Sequence, residues 1–109
     1  MHRIDISEAD WKMYCSRITD WRESYMERLC QEYIAVLTSD KNASDRLWEI
    51  FDRIKADSTK TGVIARNACS SMISNIVNLL QEGAITNKDL EGFSDELIER
   101  VKFIKNNMG

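Results

Sequence analysis

The chain has 109 residues, of which 43% are hydrophobic and 30% charged, with a net charge of −3, no proline and four glycines. This composition excludes disorder, which needs few apolar residues and a strong charge imbalance. So small a charge gives no general attraction to nucleic acid or anionic membranes, and the apolar runs, such as Ile76-Val77 and Leu79-Leu80, are too short to span a bilayer.

A single helical domain over residues 1–109 is expected on length alone. Residues 1–6 have no signal-peptide core and are expected to be flexible. Ser7, with Asp10 three positions on, predicts an N-cap. Trp11, Tyr14, Cys15, Ile18, Trp21, Tyr25, Met26, Leu29, Tyr33 and Leu37 then recur at steps of three and four, which predicts one amphipathic helix from Glu8 to Leu37. Thr19 and Asp20 both prefer caps to helix interiors, so a kink or break is expected there.

Thr38 to Asn42 is a loop by composition. Asn42 or Ser44 is placed to cap a second helix that carries Leu47, Trp48, Ile50, Phe51 and Ile54, with Trp48 flanking the Leu47/Phe51 stripe. Glu49 and Arg53, four apart in the favourable order, mark its wet face. Asp57 to Gly62 is the next break. The third helix, about Val63 to Gln81, has no acidic residue and only Arg66 as a base. Its stripe is Ile64, Ala68, Met72, Ile76, Leu79 and Leu80, and so charge-poor a helix belongs at the centre of a bundle or at an interface core. Gly83 fits a C′ glycine, Thr86 with Asp89 a capping box, and Ser94 the cap of a last helix from Asp95 to about Asn106. Leu90, Phe93, Leu97, Val101 and Ile104 form its inward face. The expected fold class is all-α: a small bundle of four principal helices plus a short linking helix, with a long first helix and mostly antiparallel neighbours.

The chemistry-bearing residues are sparse. His2 is the only histidine, too few for a triad or a zinc site. There is no nucleophile elbow and no phosphate cradle. Carboxylates such as Glu23, Glu27, Asp45, Glu49, Asp52, Glu96 and Glu99 fall mainly on faces opposite the apolar stripes. The segment Asn78–Asp89 imitates half of a calcium loop, but Leu80 stands where an oxygen ligand is needed. Cys15, Cys30 and Cys69, odd in number and without a CxxC pair, predict buried, reduced thiols in a cytoplasmic protein. No metal, no cofactor and no enzymatic activity are therefore expected.

What remains is an aromatic set suited to protein contacts, since Trp and Tyr bury large areas at low entropy cost. The candidate partner-binding residues are Trp11, Tyr14, Trp21, Tyr25 and Trp48, with Arg66 on the charge-poor helix. The expected function is a small cytoplasmic adaptor, regulator or inhibitor acting through a helical surface on a protein partner or a second copy of itself. The first alternative is a nucleic-acid-binding regulator using Arg100, Lys102 and Lys105 of the last helix. Glu91, Asp95, Glu96 and Glu99 surround those bases, so nucleic acid is not an expected partner. The second alternative is an enzyme using carboxylates.

Three stretches together carry a resemblance: Trp21-Arg-Glu-Ser-Tyr-Met-Glu-Arg-Leu29, Asn42-Ala-Ser-Asp-Arg-Leu-Trp-Glu-Ile50 running on to Arg53-Ile54-Lys55 and Gly62-Val63, and Asp89-Leu-Glu-Gly-Phe-Ser-Asp-Glu-Leu97. Over about residues 11 to 104 the chain resembles a family of uncharacterised proteins of roughly this length in Firmicutes, particularly clostridia. Some members are labelled "multidrug transporter", a label contradicted here by the absence of hydrophobic spans. The resemblance implies a bacterial, cytoplasmic origin and carries over no functional residue.

Overall fold

A computed structural model describes residues 7–64 and 72–107. Five α-helices follow in order: α1 (Glu8–Leu37), α2 (Ala43–Asp57), the single turn α3 (Thr61–Ile64), α4 (Met72–Gln81) and α5 (Asp95–Asn107), with a 3-10 turn at Asn87–Leu90 between the last two. Among the described residues there is no strand. The expected flexibility of residues 1–6 and the middle of the predicted third helix, with Arg66, Ala68 and Cys69, lie outside the described residues.

α1 starts where Ser7 Oγ accepts from the Asp10 amide at 3.0 Å. It then runs on for 30 residues without interruption, so the chain does not break at Thr19-Asp20. Both residues are exposed, while Ile18 and Trp21 on either side are buried. Tertiary packing of that face outweighs the few tenths of a kcal/mol by which Thr and Asp disfavour a helix interior.

The core forms on the N-terminal two-thirds of α1. Tyr14, Ile18 and Trp21 meet Met72, Ile73, Ile76, Val77 and Leu79 of α4, Ile85, Leu90 and Phe93 of the following loop, and Leu97 and Val101 of α5. α4 buries five of its ten residues, as befits a helix low in charge. It ends in a Schellman turn in which Ala84 N donates to Leu79 O (2.9 Å) and Gly83 N to Leu80 O (3.2 Å). Gly83 adopts φ 77° there, in the left-handed region that an L side chain resists. The predicted capping box appears as Thr86 N donating to the Asp89 carboxylate at 2.8 Å.

Polar contacts stitch α1 to this body. Asp10 is 5% exposed and accepts from both the amide (2.9 Å) and the hydroxyl (2.6 Å) of Ser94. Ser94 Oγ in turn accepts from Leu97 N at 3.2 Å, so one carboxylate and one serine lock the starts of α1 and α5 together. Arg17 donates to the carbonyls of Asp89 and Glu91, Arg22 to Val63 and Arg28 to Gly83, so guanidinium groups of α1 tie it to backbone carbonyls of the body. Asp10→Ala is expected to cost about 1.5–3 kcal/mol, because charge-assisted hydrogen bonds are lost and the Ser94 amide is left unpaired in a buried site. Urea melts of this variant against wild type measure it; a loss below 0.5 kcal/mol, as at an ordinary surface site, would contradict the lock.

The molecule is elongated, 55 × 27 × 22 Å with a radius of gyration of 16.6 Å, against about 13 Å for a compact chain of 100 residues. The cause is the end of α1, which runs on past the core and carries α2.

Candidate functional site: the outer face of the α1–α2 arm

α2 lies antiparallel to the end of α1. Arg46 donates to the Leu37 carbonyl at 2.7 Å, Arg53 pairs with Glu32, and Tyr33 donates to Asp57. Arg46, Glu49, Ile50, Arg53 and Asp57 are the partly covered residues of α2, and their spacing makes one helical stripe facing α1. The helix is therefore docked through a mainly polar side. The surface pair expected between Glu49 and Arg53 does not form: Glu49 bonds Lys41, and Arg53 turns to Glu32 and Asp57 with its guanidinium 5.4 Å from the Tyr33 ring centre. Asn42 occupies the N-cap position without a side-chain hydrogen bond.

This reverses the expected orientation of α2. No residue of the helix is buried. Leu47, Phe51 and Ile54 of the apolar stripe are 62, 52 and 49% exposed, and the candidate contact residue Trp48 is 61% exposed, while Ile50 of the same stripe turns towards α1. Ile34 and Leu37 of α1 are 51 and 45% exposed. An α-helix turns about 100° per residue, so the antiparallel pairing puts Ile34 and Leu37 on the same side of the arm as Leu47, Phe51 and Ile54. Trp48 stands at the outer edge, its ring edge-on to Phe51 at 5.6 Å. Cys30 is an exposed free thiol one turn before Ile34, which corrects the expectation that it is buried. Cys15 is half-buried and free. Counting an aromatic side chain at about 150–250 Å² and an aliphatic one at less, the six residues leave on the order of 600 Å² of apolar surface in water. That is at the upper end of the roughly 300–600 Å² reached by the largest patch on a typical monomer.

The opposite side of the arm is polar. Tyr25, Arg28, Leu29 and Glu32 of α1, Arg53 and Asp57 of α2, Lys60, Glu82 and Gly83 line an open cleft of about 320 Å³. Its carboxylates are engaged. Glu82 accepts from the amides of Thr61 (2.9 Å) and Gly62 (3.2 Å) at the start of α3, Asp57 from Tyr33 and Glu32 from Arg53. Three acids and three bases balance, so the cleft is a polar joint between arm and body. Among the described residues no three His, Cys, Asp or Glu side chains are placed to hold a metal ion.

Burial pushes all three tyrosine hydroxyls up. For Tyr14 burial is the main cause; for Tyr25 the charges of Glu82 and Asp57 add to it; for Tyr33 burial and then the hydrogen bond to Asp57 raise it from 10.0 to about 12. A raised folded-state value means that the Tyr33 contribution to stability is complete below pH 10 and is lost as pH climbs from 10 towards 12. Tyr33→Phe should cost about 0.5–1.5 kcal/mol at neutral pH, and the gap between wild type and variant should close over that window. Urea melts of both proteins across the window measure it; parallel pH curves would show that the hydroxyl has no such linkage.

The residues singled out in the sequence separate into different environments. Tyr14, Trp21 and Tyr25 are 0, 9 and 6% exposed: these rings are core, because the α1 stripe that carries them is covered by α3, α4 and the loop after α4. Tyr14 also accepts from Asn75 Nδ2 at 2.8 Å. Trp11 is half-buried against the same cluster. Arg66 lies outside the described residues. Among the described residues of the set Trp48 alone reaches the exposed face, and Ile34, Leu37, Leu47, Phe51 and Ile54 are not among the candidates named from the sequence. Their apolar periodicity is visible in the sequence, but the same pattern marks a core stripe, and only the docked side of α2 tells the two apart. Comparison of the chain with family models, with curated proteins and with solved structures found no match. No helix among the described residues is long and apolar enough to cross a membrane.

Proposed function

We propose that the protein is a non-enzymatic interaction module, a small cytoplasmic adaptor, regulator or inhibitor, which docks a helical, apolar-faced protein chain on the outer face of the α1–α2 arm. One observation carries this reading: a 15-residue amphipathic helix buries none of its residues and turns Leu47, Trp48, Phe51 and Ile54 to water. A helix this short is marginal by its own propensity and depends on burying its apolar side. Depletion of charge across the face, with Phe51 at its centre and Trp48 at its edge, matches the composition of interface cores. The two-helix surface suits helix-on-helix packing rather than nucleic acid, which would need clustered bases. Membership of the bacterial family that the sequence resembles is consistent with this reading and adds no mechanism.

The test compares what wild type and Phe51→Glu retain from native lysate, with a differently tagged second copy of the chain added. The reading predicts at least one polypeptide, the second copy included, held by wild type and lost by the variant while the variant's core keeps its cooperative urea transition. Identical retention by both proteins would overturn it.

A further inference from the structure

Resting on that reading of the face, we infer that its occupant is a second copy of this chain: two arms pack face to face about a two-fold axis and complete a four-helix bundle. Four features of the arm point to this occupant. The first is area. The exposed apolar surface, on the order of 600 Å² before its polar margin is added, approaches the roughly 800 Å² per partner that a standard stable interface buries, so one partner of matching size covers it.

The second is shape. An antiparallel helix pair with one apolar side is half of a four-helix bundle, and a two-layer core needs a like layer opposite. Ile34 and Leu37 from α1 alternate with Leu47, Phe51 and Ile54 from α2, so both helices supply side chains to the interface. A single foreign helix would fill the groove between them and leave much of Trp48 and Ile34 in water.

The third is charge. No carboxylate stands between the six apolar positions, and the ammonium on their side of α2 is that of Lys55. The margin carries both signs, Glu27 two turns before Ile34 on α1 and Lys55 one turn after Phe51 on α2, its ammonium 5.9 Å from the ring centre. A margin of mixed sign tolerates its own image, whereas one of a single sign would repel it.

The fourth is the position of the arm. It projects from the body of a 55 Å molecule, and its apolar side faces away from the core, the polar cleft lying on the core side. Two bodies therefore remain clear of each other when the arms pair. The pairing supplies what α2 lacks in one chain, buried side chains of its own, so the order of α2 is coupled to association.

Analytical ultracentrifugation of the purified full chain over a wide concentration range tests this, with Phe51→Glu and the milder Trp48→Ala as face variants and Phe103→Glu as control. Phe103 is 64% exposed on α5, outside the face. The expected result is twice the chain mass for wild type and the control. Because a two-fold axis counts each change twice, Phe51→Glu should raise the dimer dissociation constant by about a hundredfold or more, and Trp48→Ala should raise it less. Circular dichroism of the wild type should lose helix on dilution through the dissociation midpoint. A wild type that stays monomeric overturns the inference. If lysate retention still depends on Phe51, the docking reading survives with a foreign occupant; if it does not, both fall. A dimer that persists in both face variants at unchanged affinity places the interface elsewhere and also overturns the inference. Should Phe51→Glu lose its fold, Trp48→Ala decides alone: an unchanged dissociation constant counts against the interface, a raised one for it.

Discussion

Ile76→Ala is expected to lower the unfolding free energy by about 2–5 kcal/mol, the loss seen when a fully buried branched aliphatic side chain is cut to a methyl and leaves a cavity. Ile76 has 0% exposure and sits within the cluster that joins α1, α4 and α5. That is a large share of the about 5–15 kcal/mol that holds a domain together. Little elsewhere offsets it, because α2 contributes no buried residue. Ile64→Ala is the matched comparison. The two isoleucines belong to the same periodic stripe in the sequence, yet Ile64 is 55% exposed, and its loss should stay within about 0.5 kcal/mol. Urea melts of the two variants measure the difference; similar losses at both sites would contradict the packing of α4.

Gly62→Ala has the opposite sign from the usual rule. Glycine inside a helix is less favourable than alanine by roughly 0.5–1 kcal/mol, so α3 should gain from the change. Gly62 is buried, however, and an added Cβ would overlap the Tyr25 ring at Cδ2 and Cε2. That ring is 6% exposed and has little room to move. Overpacking of this kind costs typically 1–3 kcal/mol, which exceeds the propensity gain, so a net destabilisation is expected. Removing the obstruction should restore the rule: in a Tyr25→Ala background the same change becomes neutral or stabilising, with a coupling of about 0.5–3 kcal/mol. A double-mutant cycle by chemical denaturation measures that coupling. If it is absent, the ring does not rest on Gly62.

The packing also bears on the aromatic residues of α1. Trp21 lies 6.3 Å from Phe93 between ring centres, and Arg17 covers the other ring contact of Phe93 at 5.3 Å. These residues serve cohesion between α1 and the loop after the 3-10 turn, so substitutions there would remove the fold before they could report on a partner. The arm is different: its face can be altered while the core of α1, α4 and α5 is left intact. Variants at Phe51 and Trp48 therefore separate recognition from folding, which variants at Tyr14 or Trp21 cannot do.

Much of the molecule was legible in the sequence, because its signals are local. The cap at Ser7, the Schellman glycine at Gly83, the Thr86–Asp89 box and the Ser94 cap depend on residues within four positions of each other, and the spacing of Tyr14, Ile18, Trp21, Tyr25 and Leu29 names a helix face whatever covers it. Periodicity gives the direction of a stripe on its own helix but not the neighbour that meets it. Tertiary structure alone decided that the stripe of α1 is core and that of α2 is surface, since α2 docks through Arg46, Arg53 and Asp57 onto groups 9 to 24 residues away. It decided equally that Asp10 reaches Ser94, 84 positions on, and that Glu82 caps α3. A charged side chain reads the same whether it ends in solvent or on a distant amide, and the difference lies in the packing of the chain.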